Sequence, residues 1–127
     1  MGWDRALVAD TLVSILGAAT GVKVHPVPPE IVNPMSIVIS RPQPVSYDTF
    51  ALGVDEATLP VLIVGGVETE NQIETLKDAC RQAVMADPSL GGVVMDATPT
   101  EERNWRNLTG AGGIQLLLVE LILTIRM

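Results

Sequence analysis

Apolar residues recur at helical spacing in two stretches of the chain and alternate at strand spacing in a third. Leu7, Val8, Leu12, Ile15 and Leu16 share one face of a helix predicted from Trp3 to Leu16, with Gly17 offering a left-handed stop. Ile73, Leu76, Cys80, Ala83 and Val84 do the same over Thr69 to Ala86, while Glu70, Glu74, Lys77, Asp78, Arg81 and Gln82 occupy the remaining positions. Thr69 and Gln72 have the spacing of a capping box, and Asp87-Pro88 ends the helix. In the closing segment Leu117, Val119, Leu121, Leu123 and Ile125 alternate with Leu118, Glu120, Ile122, Thr124 and Arg126, which predicts a strand with one wholly apolar face.

Shorter patterns complete the set. Met35 to Ser40 reads as a brief β-branched strand before Pro42 and Pro44, and Thr58 to Val64 as a central strand with Pro60 near its start. Val93 to Thr98 follows Gly91-Gly92 as a further strand, and the polar run Pro99 to Asn107 reads as a hairpin connection. Pro26, Pro28, Pro29 and Pro34 stiffen an irregular connector, and residues 41–57 form an extended loop or hairpin arm. Together these elements predict an α+β domain: a mixed, mainly antiparallel sheet of about four strands with two packed helices, in the order α-β-β-α-β-β.

Burial of the five apolar side chains of the closing strand is worth on the order of 10 kcal/mol, at about 2 kcal/mol each, before chain entropy is subtracted. A strand from Ile114 to Arg126 would run about 40 Å at roughly 3.3 Å per residue, against a globule about 36 Å across. Part of it must bend or project, and its free edge would invite a neighbour.

Length and composition narrow the function classes. A chain of 127 residues fits one domain, 1–127, and 47% apolar with 18% charged residues is the balance of a folded globule. Aromatic residues make up 3%, so the core rests on Val, Leu, Ile, Ala and Met. A net charge of −7 with eight scattered basic residues argues against a phosphate-gripping domain. Cys80 is the sole cysteine and has no internal disulfide partner, and the Met1–Arg5 start interrupted by Asp4 does not read as a signal peptide, so synthesis in a reducing cytoplasm is expected. The apolar run Ile114 to Ile125 is too short for the roughly 20 residues of a membrane helix.

No catalytic, cofactor-binding or metal-ligating set emerges. Cys80 with His25 is the one nucleophile and base pairing available to a thiol, but Cys80 falls on the apolar stripe of the second helix and His25 in the connector. One His and one Cys fall short of a zinc site, and Glu101-Glu102 or Glu68 with Glu70 read as solvated acids. Gly110-Ala111-Gly112-Gly113 lacks the Lys-Ser/Thr ending of a phosphate loop and leads into a strand, so it is a turn, and Glu68 and Glu70 would repel a phosphate near Gly65-Gly66. The four rings Trp3, Tyr47, Phe50 and Trp105 instead fall at element ends or in loops, a placement suited to protein contacts.

The order of elements, the connector Val24-His25-Pro26-Val27-Pro28-Pro29, the strand Ser36-Ile37-Val38-Ile39, the helix near Ile73 to Ala86, the segment Asp87-Pro88-Ser89-Leu90-Gly91-Gly92-Val93-Val94 and the long closing strand resemble the tail terminator, or tail completion, proteins of long-tailed bacteriophages. The likeness spans nearly the whole chain. It implies a structural virion protein, made in the host cytoplasm, that forms a hexameric ring at the head-proximal end of the tail. Such a ring halts tail-tube polymerisation and joins the head connector. The implied partners are further copies of the chain, the tail tube protein and the connector, with DNA passing through the lumen. An acidic lumen would keep that DNA mobile. The interface candidates are Tyr47, Phe50, Leu52 and Trp105, with Glu120 and Arg126 on the closing strand. Competing expectations are a head-closure or other minor tail subunit and, in a different class, a small ligand-binding or regulatory domain with a pocket between sheet and helices.

Overall fold

The computed structural model describes residues 5–29, 35–40, 43–48, 53–109 and 111–126. It is α+β, with two helices against one side of a mixed six-stranded sheet. The elements are α1 (Arg5–Thr20), β1 (Lys23–His25), β2 (Ser36–Ile39), β3 (Gln43–Asp48), β4 (Gly53–Gly66), α2 (Glu70–Ala86), β5 (Asp96–Thr109) and β6 (Gln115–Arg126). Two more strands form than the sequence pattern predicts, β1 in the connector and β3 in the arm.

β4 is the spine of the sheet. One flank pairs with β3 along residues 53–58 and with β2 along 61–64, and the other pairs with β6, which in turn pairs with β5. β1 adds to the outside of β2 in parallel; every other pairing is antiparallel. One row of the ladder therefore reads Lys23, Ser36, Val64, Leu118, Arg106 from edge to edge.

Pro60 lies inside β4, not near the start of a shorter strand as the sequence suggested. Its carbonyl accepts a hydrogen bond from the Ser40 amide at 3.0 Å, so its ring nitrogen faces the same flank, at the gap between the β3 and β2 pairings. A residue without an N–H sits there without losing a ladder bond.

The alternation of the closing strand holds. Val119, Leu121, Leu123 and Ile125 are buried in the main core with Val8, Leu12 and Leu16 of α1 and Ile73, Cys80 and Val84 of α2. The opposite set is less polar than its sequence implied: Leu116 and Leu118 form a second, smaller cluster with Val64.

Helix ends differ from expectation in instructive ways. α1 runs through Gly17 to Thr20, and Gly21 takes the left-handed φ of 71°, its N–H bonded to the Gly17 carbonyl at 2.9 Å. Thr69 does not form a capping box with Gln72: a 3-10 turn over Val67–Thr69 precedes α2, and the Thr69 hydroxyl donates to the Gly66 carbonyl at 2.7 Å. After α2 the Asp87 carboxylate accepts from the Gly91 N–H and the Ser89 hydroxyl, which fixes the loop that buries Leu90. No described helix is long and apolar enough to cross a membrane.

Candidate interaction surfaces

Residues 99–107 are not a hairpin connection but the body of β5, a strand of 14 residues on the outside of the sheet. The Pro99 to Asn107 run reads as a loop because an edge strand wet on both faces has no apolar alternation to betray it. Pro99 and register shifts at Pro99/Glu101 and Arg103/Arg106 belong to such an edge. The real turn is the 3-10 segment Ala111–Gly113, where Gly112 and Gly113 adopt φ of 71° and 78°.

This moves the expected contact surface. β6 is paired on both sides and offers no free edge to a neighbour; the border on its side of the sheet belongs to β5, and β1 borders the other side. Every described side chain from Glu101 to Thr109 is exposed, Trp105 at 36% and Leu108 at 42% among them, and Ile114 beyond the turn is 53% exposed. Glu120 and Arg126 are engaged within the chain, with Arg106 and Glu56 respectively, each at 3.2 Å. Tyr47 pairs with Val54 in the β3–β4 hairpin, whose Gly53 and Val54 have no partner in β6 among the described residues. Phe50 and Leu52 lie outside the described residues.

A cluster that the sequence reading did not single out fastens β5 to α2. Lys77 donates to Glu74 and to Glu102, each at 2.8 Å, and the Trp105 indole N–H donates to the same Glu102 oxygen at 3.1 Å. The signal was present: Lys77 stands four residues after Ile73 and three before Cys80, on the buried stripe of α2. Burial works against its charge, but the hydrogen bonds and charges of Glu102 and Glu74 outweigh this and raise its pKa above the ordinary value. The Lys77 hydrogen bond is the main cause that lowers the Glu102 pKa, with the Trp105 bond and the Lys77 charge adding to it against partial desolvation.

The signs fix a pH window. Glu102, with its native value lowered, contributes stability that is full above the ordinary carboxylate pKa of about 4.3 and is lost as pH falls through the native value. Lys77, with its native value raised, contributes fully below about 10.4 and loses that as pH rises through its native value. Lys77→Met should therefore flatten the acid limb of a urea-midpoint profile taken from about pH 7 to pH 3. At neutral pH it should change stability by about 1 kcal/mol or less, since both carboxylates are 44% exposed and rehydrate. Replacing Glu74 and Glu102 together by Gln should cost more, because it strands an ammonium whose side chain is 7% exposed. An unchanged acid limb in the Lys77 variant would refute the assignment.

Beside this cluster a groove of about 370 Å³ runs between α2 and β5 over Leu121, with Lys77 and Arg81 on one wall and Thr100 and Glu102 on the other. Lys77 and Glu102 neutralise each other, and Asp78, Arg81 and Glu101 complete the charged lining of the groove. A second hollow of about 350 Å³ lies between Met35, just before β2, and Asn71, Gln72, Thr75 and Leu76 of α2. Burial pushes the Cys80 thiol up to about 12, so it is no nucleophile at neutral pH. Among the described residues no group of three His, Cys, Asp or Glu could hold a metal ion. Compared with known proteins, the chain matches no family model and no curated sequence.

Proposed function

We propose that this chain is a structural subunit of the phage tail-terminator type, which assembles with further copies into a ring that caps the tail tube, stops its growth and joins the head connector. The observation that carries this reading is the 14-residue β5 border, uncovered along Glu101 to Thr109 and dotted with exposed Trp105 and Leu108. A border of that length left open on a monomer is a template for association. The resemblance described above supplies the ring, its expected six copies, and its place at the head-proximal end of the tail in the virion.

Two further features support it. Hairpins extend beyond the body of the sheet at opposite ends, β3–β4 at one and β5–β6 at the other, as a subunit with different neighbours above and below requires. The Cys80 thiol is buried and its pKa is pushed up to about 12, so the reading rests on surfaces and not on this thiol. A head-closure subunit would share these features and differ in its position along the particle.

The test is mass photometry and negative-stain imaging of the purified chain, alone and with tail tubes of its phage. Rings seated on tube ends, with tube growth arrested, are expected. Single chains at every concentration, with tubes elongating past them, would overturn the proposal.

A further inference from the structure

The ring reading supplies what the β5 border finally meets, a neighbouring copy. On that footing we infer that the bonds joining Lys77, Glu102 and Trp105 guard this border: they hold in place a bulge that keeps the free chain from pairing there before its neighbour arrives.

An uncovered border pairs with any strand that presents one, so a chain that must wait for its place in an assembly needs that border blunted. β5 is blunted in three ways. Pro99 removes a backbone donor, and Glu101, Glu102, Arg103 and Arg106 set charges along the strand. Two bulges then break its register. Thr100 is the extra residue between Pro99 and Glu101, and Asn104 and Trp105 together stand against Val119 alone. The paired runs that remain are 96–99, 101–103 and 106–109. A neighbour therefore meets no regular stretch longer than four residues, short of the about five or six of an ordinary strand.

The second bulge is fastened from both faces of the sheet. Glu102 stands opposite Leu121 on the helix side, and one of its carboxylate oxygens accepts from Lys77 at 2.8 Å and from the Trp105 indole N–H at 3.1 Å. A single atom thus ties the bulged residue to α2. Arg106 stands opposite Leu118 on the other side and pairs with Glu120 at 3.2 Å. The tie to α2 is the firmer one. Arg106 lies largely in water, where an ion pair contributes little, whereas the Lys77 side chain is buried and Glu74 holds its ammonium from within the same helix. Lys77 also occupies the stripe of α2 that buries Ile73, Cys80 and Val84, where an apolar residue would serve stability as well without the cost of desolvating a charge. Its placement is explained by what it holds in position across the groove.

Lys77→Met and Trp105→Phe remove the two ends of the tie while keeping an apolar stem and a ring in place. Separately and combined, they are compared with the unsubstituted chain by sedimentation velocity over a concentration series without tail tubes, with urea midpoints measured alongside. The combined variant should associate at a concentration at least about tenfold lower than the unsubstituted chain, and each single variant should fall between them. Adding Leu108→Lys, which sets a new charge on the exposed border, should reverse the gain. Equal association in all chains would overturn the guard. Weaker association of the combined variant would overturn it too, and would make Trp105 a contact instead. A gain that persists with Leu108→Lys comes from another surface and is equally fatal. Tail tubes separate this result from the ring reading. If the unsubstituted chain caps tubes while the variants associate no more readily, the ring stands and the guard falls. If the variants gain association at the border but no chain seats on a tube, the guard stands and the ring reading falls.

Discussion

A Leu123→Ala chain should unfold with a free energy about 2–5 kcal/mol lower than that of the natural sequence, a large part of the stability of a domain this size. Leu123 is fully buried in the C-terminal half of β6, flanked in the ladder by Leu59 of β4 and Pro99 of β5, and belongs to the core shared with both helices. Strands on both sides hold its backbone, so the space left by the lost carbons cannot close by a strand shift. The penalty should then combine the transfer term with a persistent cavity. Thr124, one residue on, faces the other side and shares a hydroxyl contact with Thr100 at 3.2 Å, so Thr124→Ala should cost about 1 kcal/mol or less. Urea titrations of both variants, with unchanged m-values, provide the comparison. Equal losses at the two positions would mean that the apolar alternation of β6 does not separate a helix-covered face from an outer one.

That alternation was legible in the sequence because burial on one face writes a period of two into the side chains, and α2 was legible because its buried stripe writes a period near 3.6. The same rule explains what stayed hidden. Glu101, Glu102, Arg103 and Arg106 lie on a strand exposed on both sides, where no face selects apolar residues, so a long edge strand resembled a polar connection. β1 has three residues, too few to show any period. Pro60 argued for a strand start, but only the handover from β3 to β2 along one flank of β4 makes room for it deeper inside.

The candidate surfaces were readable to a lesser degree. Trp105 was singled out for its position and does lie on the open border, yet its indole is tied to Glu102, a contact that depends on the bulge between Arg103 and Arg106. Lys77 looked like one more surface charge until its place on the buried stripe met Glu102 across 25 residues of chain. Leu108 is an isolated apolar residue in a polar stretch and Ile114 opens the closing apolar run, and the β5–β6 hairpin brings the two to one tip. Glu120 and Arg126 were expected to face partners; each also makes an ion pair inside the chain, Glu120 with Arg106 of β5 and Arg126 with Glu56 of β4.

Gly65 should be among the least replaceable positions on the surface between β4 and α2, for want of space and not for its backbone angles. A Cβ there would lie 2.6 Å from the Thr69 hydroxyl and 2.9 Å from Cδ1 and Cγ1 of Ile73. Neither can move aside: Thr69 is bonded to the Gly66 carbonyl, and Ile73 is fully buried. Gly65→Ala should therefore lift the start of α2 from the sheet and cost about 1–3 kcal/mol, and Gly65→Val more. Ile73→Ala alone should cost about 2–5 kcal/mol through its cavity. Combined, however, each change relieves the other, since the new methyl group at 65 enters the space vacated at 73. The double variant should be more stable than the sum of the two losses predicts, by about 0.5–3 kcal/mol. A cycle of four urea titrations measures that coupling. Strict additivity would mean that α2 does not rest on β4 at Gly65, and with that the placement of the hollow beside Asn71 and Gln72 would fail too.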